Sequence, residues 1–194
     1  MAIDRKNIGK EIKMNILSEY KALNSLAKKH SIVLMGTSTM SSLRFNEMLT
    51  DYELSLKIYN RSARGLMASN AKDFYEQSIA SLEPSILIVN IGENEESDLT
   101  VSSESFRQDL DAFVASIRSQ NPTMRVILLE IPETSERAAE INRTIRSVSA
   151  SRHTDFAPLS QSGDCLSIRY FRSMKPYFFR KKIGFADAFA YAGI

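Results

Sequence analysis

The chain predicts a three-layer α/β/α domain built around a five-stranded parallel sheet. Three observations carry that expectation. Four short runs are apolar on successive residues, at 32–35, 56–59, 86–91 and 125–131, with a weaker fifth at 154–159. Strands covered on both faces read this way, whereas half-exposed strands alternate. Helical patterns separate the runs, and strand–helix alternation is the mark of a doubly wound sheet. Right-handed crossovers would then place helices on both faces. A length of 194 residues suits one domain with a sizeable core.

Residues 5–29 read as a helix, with Ile8, Ile12, Ile16, Leu23 and Leu26 on one apolar stripe. The expected organisation is therefore an N-terminal helix, residues 1–30, packed on an α/β domain spanning 31–194. Residues 66–82 read as a second helix. Residues 103–119 give a clearer one, with Phe106, Leu110, Phe113, Val114 and Ile117 inward, and with a serine cap and the acidic Glu104 at its start. Residues 135–150 form another, with Ile141, Ile145 and Val148 inward. No internal repeat, low-complexity segment or linker interrupts the pattern.

Composition excludes several function classes. Hydrophobic content of 43% and charged content of 25% are those of an ordinary globular chain. A net charge of +2 gives no whole-protein field for nucleic acid. The basic residues Arg169, Arg172, Lys175, Arg180, Lys181 and Lys182 read as a solvated face. The single cysteine, Cys165, rules out an internal disulfide and a cysteine metal cluster. No His/Asp/Glu group has ligand spacing, so neither metal nor cofactor is expected. No run approaches the ~20 apolar residues of a membrane span, and the charged N-terminus lacks a signal-peptide core. The expected location is the cytoplasm, away from membranes, with homo-oligomerisation left open.

Three glycine turns carry the chemistry. The first, Gly36-Thr37-Ser38-Thr39, follows the first strand run. The second is Asn60-Arg61-Ser62-Ala63-Arg64-Gly65, and the third is Gly92-Glu93-Asn94-Glu95. All three leave strand carboxyl ends, the edge where open parallel sheets bind ligands. A phosphate-binding reading fails because the first turn lacks the lysine of a phosphate loop and no Gly-x-Gly-x-x-Gly follows a strand. The bland alternatives are that Ser38 caps a helix beginning near Met40, and that Gly92 and Asn94 form only a turn.

In order and spacing, the three turns resemble the motif blocks of the SGNH (GDSL-type) hydrolase superfamily, whose sheet is flavodoxin-like. Gly36-Thr37-Ser38 resembles the nucleophile block, and Asn60 to Gly65 fits the frame of Asn-Arg-Gly-x-Gly-Gly. Gly92-Glu93-Asn94-Glu95 matches Gly-Glu-Asn-Asp in all but its last residue. The helix and strand over 106–131 and the stretch Ile141-Asn142-Arg143-Thr144-Ile145-Arg146 are also similar to the family's. The resemblance spans residues 30–160 and is diffuse beyond. It implies an esterase, acylhydrolase or deacetylase acting on a small-molecule ester or acetylated carbohydrate. Ser38 would be the nucleophile, and the Ser38 N–H, the Gly65 N–H and the Asn94 side-chain amide would form the oxyanion hole.

The pattern breaks at the base. The family takes it from a C-terminal Asp-x-x-His, whose histidine deprotonates the serine. This chain has two histidines, His30 and His153, and neither lies in such a motif. Each precedes a strand run, so each should lie at the amino edge, about 15–20 Å from Ser38. A general base must come within ~3 Å, or act through one water. Two placements of the missing block remain. Asp164-Cys165-Leu166-Ser167 keeps the aspartate. The preferred placement counts back from Gly184-Phe185, puts Pro176 and Phe179 at the two positions, and leaves residues 183–191 as the last helix. Thr37 and Glu95 stand where the family usually has aspartate or a small residue. Lys181, Lys182, Glu93 and Glu95 are candidate substitute bases. The expectation is an SGNH-type serine ester hydrolase of doubtful activity; the alternative is an inactive protein of that fold that binds an acyl group, a carbohydrate or a protein partner.

Overall fold

A computed structural model describes residues 5–179, with side chains from residue 15 onward. Five strands, β1 (Ile32–Gly36), β2 (Ile58–Asn60), β3 (Ile86–Asn90), β4 (Arg125–Leu129) and β5 (Asp155–Ala157), form one sheet in the order β2-β1-β3-β4-β5. Every pairing is parallel. The chain reverses its direction of winding between β1 and β3, which opens a crevice beyond their carboxyl ends.

The central strands β1, β3 and β4 are buried on both faces, as their apolar runs require, and the edge strands β2 and β5 are partly buried. Val33, Met35, Leu87, Val89, Val126 and Leu128 face one core cluster, while Ile32, Leu34, Ile86, Ile88, Ile127 and Leu129 face the other. Helices α1 (Arg5–Asn24), α4 (Ala68–Ser78), α6 (Ser103–Gln120) and α7 (Glu136–Ser151) cover the first face. Helices α2 (Ser38–Ser41), α3 (Phe45–Asp51) and α8 (Leu166–Met174) cover the second. The short α5 (Glu93–Ser97) sits at the carboxyl edge, directly after β3. The architecture is the expected three layers.

Several elements differ from the sequence expectation, each for a local reason. Helix α1 stops at Asn24 rather than near residue 29, and turns at Ser25, Leu26 and Ala27 follow it. Strand β2 begins at Ile58, because Leu54 and Leu56 pack on the core before the chain joins the ladder. The stretch expected as a helix over 66–82 divides into α4 and a 3-10 turn, Ala80–Leu82. The cap of α6 is Ser102, whose hydroxyl accepts from the Ser105 N–H at 3.1 Å. Helices α3 and α8 were not anticipated, although Phe45, Met48 and Leu49, and Tyr170, Phe171 and Met174, show helical spacing and are buried.

No helix among the described residues is long and apolar enough to cross a membrane. Lys181, Lys182, Gly184, Phe185 and the helix expected over 183–191 lie outside the described residues.

Candidate active site

The parallel register brings the three turns together. Gly36 is the register partner of Asn90, so the turns after β1 and β3 leave the sheet side by side. The second turn joins them through the Ala63 N–H, which donates to the Gly36 carbonyl at 2.9 Å. Asn60 adds two bonds: its amide donates to the Met40 carbonyl at 2.9 Å, and its side-chain oxygen accepts from the Ser62 N–H at 3.1 Å.

Ser38 is half-buried and opens α2, with Thr37 in the cap position. Among the described residues the Ser38 hydroxyl has no hydrogen-bond partner, so capping does not occupy it. Gly36 must be glycine for steric reasons: an added Cβ would lie 2.7 Å from the Met40 Cβ and 2.9 Å from the Asn90 carbonyl oxygen.

Gly65 has φ +74°, borders open space, and its N–H has no backbone partner among the described residues. A left-handed backbone facing open space suits glycine and leaves the amide approachable. Asn94 lies in the first turn of α5 and donates its amide to the Leu66 carbonyl at 2.7 Å. That bond spans the second and third turns. It engages one amide proton and leaves the other. Gly92, with Asn94 and Glu95 after it, therefore opens a helix rather than closing a simple turn.

A second set of polar contacts fixes the first turn from the side of β3 and α8. Glu93 accepts hydrogen bonds from the Thr37 hydroxyl and, at 3.2 Å, from the Tyr170 hydroxyl. Tyr170 is fully buried and also contacts the Asn90 side-chain oxygen at 3.4 Å. Burial, then the neighbouring Glu93 charge, push the Tyr170 hydroxyl pKa far upward, so it stays protonated and donates. Asn142 shapes the far wall by clasping both the N–H and the carbonyl of Ile131 at 3.0 Å.

The second turn is anchored from outside by α1. The Arg61 guanidinium lies 5.1 Å from the Tyr20 ring centroid and 5.5 Å from that of Tyr59, and its Nε donates to Asn24 at 2.9 Å. Burial lowers its pKa from the ordinary arginine value. Sequence reasoning missed Tyr170, Asn90 and Arg61 as site supports. The available signals were a polar-tipped aromatic on an apolar helix stripe and a polar residue ending a buried strand.

Neither histidine approaches this edge. His30 precedes β1 by two residues and contacts the Glu83 carbonyl at 3.0 Å through Nδ1, while His153 precedes β5 by two. Both lie at the amino edge, across a strand's length from Ser38. The preferred placement of the missing block is overturned. The Phe179 carbonyl accepts from Arg125, which begins β4, so Phe179 lies at the amino edge with the histidines. The segment that the fold puts at the carboxyl edge between β5 and α8 contains Asp164 and Cys165, and Ser167 lies in the first turn of α8. Asp164 and Cys165 are exposed there.

Several clefts border the described residues. One of about 200 Å³ opens at the carboxyl edge and is lined by Glu130, Glu133, Thr134, Gln161 and Arg169, among others. A larger one of about 760 Å³ opens at the amino edge, beside His30 and Glu83. A third, also of about 200 Å³, borders the second turn and is lined by Ala63, Arg64, Leu66 and Asn70, among others.

The strand order and the crevice at its reversal define a doubly wound α/β protein of flavodoxin-like type. More narrowly, the chain has the fold of the SGNH (GDSL-type) hydrolases. It is similar to a protein of Streptococcus pneumoniae provisionally described as a platelet activating factor, at 18% identity and a TM-score of 0.75, over 90% of this chain and 96% of that one. A variant of an acetyl-xylooligosaccharide esterase from Geobacillus stearothermophilus is 12% identical with a TM-score of 0.61, over 79% and 96% of the two chains. A GDSL-like lipase from Bacteroides thetaiotaomicron is 14% identical with a TM-score of 0.60, over 76% and 81%. No protein-family model and no curated protein sequence matches the chain.

Proposed function

We propose that this chain holds the acyl or acetyl group of a small ester, such as an acetylated carbohydrate, at Ser38, Gly65 and Asn94, and does not turn it over by serine–histidine catalysis. One observation carries this reading. The chain has two histidines, and both lie at the amino edge while Ser38 lies at the carboxyl edge. Without a base the serine stays protonated and is a poor nucleophile. The Ser38 N–H, the Gly65 N–H and the Asn94 amide would still meet a carbonyl or carboxylate oxygen, because they need no proton transfer to donate. A cleft at the same carboxyl edge, with Glu130, Glu133, Thr134, Gln161 and Arg169 in its lining, supports a hydroxylated rather than a long aliphatic ligand. The likeness to an acetyl-xylooligosaccharide esterase points the same way.

The test is p-nitrophenyl acetate hydrolysis at pH 7–9 by the wild-type chain and by Ser38→Ala, together with acetate binding by NMR. Equal rates near background, and acetate binding weakened by Asn94→Ala, are the expected results. Turnover that depends on Ser38 would overturn the binding reading in favour of a substitute base. Glu93 is then the first candidate, because its carboxylate holds the hydroxyl of Thr37, the residue before Ser38. Loss of that turnover in Glu93→Gln would identify it.

A further inference from the structure

Glu95 is almost completely buried, at 2% exposure, yet no cation neutralises its carboxyl among the described residues. One oxygen accepts from the Ala68 N–H, the first residue of α4, at 2.6 Å. The other oxygen has no hydrogen-bond partner. The neighbouring residue, Asn94, donates to the Leu66 carbonyl two residues before Ala68. Consecutive residues of α5 thus grip the segment that runs from Gly65 into α4 at two successive points.

Resting on the reading that Gly65 and Asn94 face the acyl group, we propose that Glu95 is the positioning residue that sets the Gly65 turn against Asn94, its buried carboxyl bridging α5 to the start of α4. The physical argument turns on which form of the carboxyl fits the space. A neutral acid with one accepted N–H bond can be buried at moderate cost, whereas an ionised carboxylate with an unpartnered oxygen is far more costly. Burial favours the neutral form and outweighs the backbone N–H bonds, which favour the charged one. Asp98 at the end of α5 and Asp109 on α6 add like charge. Arg137 on α7 comes close, but its guanidinium donates to the backbone carbonyls of Glu95 and Asp98 rather than to the carboxyl. From α4 only the Ala68 N–H reaches it. Burial accordingly raises the Glu95 pKa above the ordinary glutamate value. As pH rises through that raised value, the charge forms inside the joint, α5 separates from α4, and Gly65 loses its alignment with Asn94.

The experiment follows the backbone amides of Gly65, Leu66 and Ala68 and the Asn94 side-chain amide by NMR between pH 5.5 and 9. It uses the full chain as wild type, Glu95→Gln and Glu95→Ala, with acetate added as probe. In the wild type these signals should move together with one midpoint, and acetate affinity should fall about fivefold or more across it. Glu95→Gln keeps the acceptor and cannot ionise, so its signals should not titrate and its affinity should be flat with pH. Glu95→Ala should show displaced signals and weakened affinity throughout. Titration of Glu95→Gln like the wild type, or unmoved signals in Glu95→Ala, overturns the assignment. Because Glu95→Gln retains the bond to Ala68, the titration remains readable even where the alanine variant does not fold. Failure of acetate to bind would count against the proposed function alone, since the amide titration still decides the role of Glu95.

Discussion

The two sides of the carboxyl edge differ in what they keep. On the side of β1, β2 and β3, three glycine turns are tied to one another by Ala63–Gly36, Thr37–Glu93 and Asn94–Leu66 contacts. On the side of β5 and α8, no histidine is present, and α8 instead sends Tyr170 inward to Asn90 and Glu93. The first side is tied together by hydrogen bonds between its turns, and the second packs a buried tyrosine against the sheet. The parallel register by itself brings the turns of the first side together, whereas the second side depends on the one long side chain of Tyr170.

The comparison can be broken or sharpened by substitution. The largest effect is expected at Gly92, where φ is +136° and an added Cβ would lie 2.7 Å from the Ile141 Cγ2. Gly92→Ala should destabilise by about 3 kcal/mol through strain and overpacking, read by urea unfolding. Asn142→Ala should cost about 2 kcal/mol, because it leaves the buried N–H and carbonyl of Ile131 without their partner. A loss as large at an exposed residue of the β5–α8 segment, such as Asp164→Ala, would erase the contrast between a framed side and a bare one.

Gly65→Ala should cost only about 1 kcal/mol, since its φ of +74° is strained for alanine but the Cβ meets nothing within 4 Å. It should nevertheless weaken acetate binding, which separates a binding role from a packing role. The pH dependence has a definite sign. A carboxyl whose folded pKa is raised contributes its stability fully below its unfolded pKa and loses it as pH rises through the folded value. Glu95 should therefore make the chain less stable toward alkaline pH, and Glu95→Gln should flatten that slope in urea unfolding at pH 5 and pH 8. The smallest effect belongs to His30→Ala and His153→Ala. Neither should change any p-nitrophenyl acetate rate, because both residues lie at the opposite edge.

The site was only partly legible in the sequence. Glycines, a serine and an asparagine at turn positions are visible as letters, because turn conformations demand particular residue types. Tyr170 was hidden because a tyrosine on an apolar stripe reads as packing until the partner of its hydroxyl is known, and that partner lies 77 residues away. The placement of Phe179 failed for a related reason. Counting residues fixes distance along the chain, but α8, unanticipated, carries the chain from the carboxyl edge to the amino edge before residue 179 is reached.

The sequence alone determined the sheet and the burial of its central strands, through unbroken apolar runs such as residues 86–89, and it determined that both histidines, His30 and His153, come just before strands, because a residue's place in the chain is the same whatever the fold. Only the tertiary structure decided which side chains surround Ser38, how Glu93 is held, and that Glu95 is sealed inside a joint between α5 and α4. Local patterns follow from the geometry of a single element, whereas the environment of a polar group depends on contacts between elements far apart in the chain.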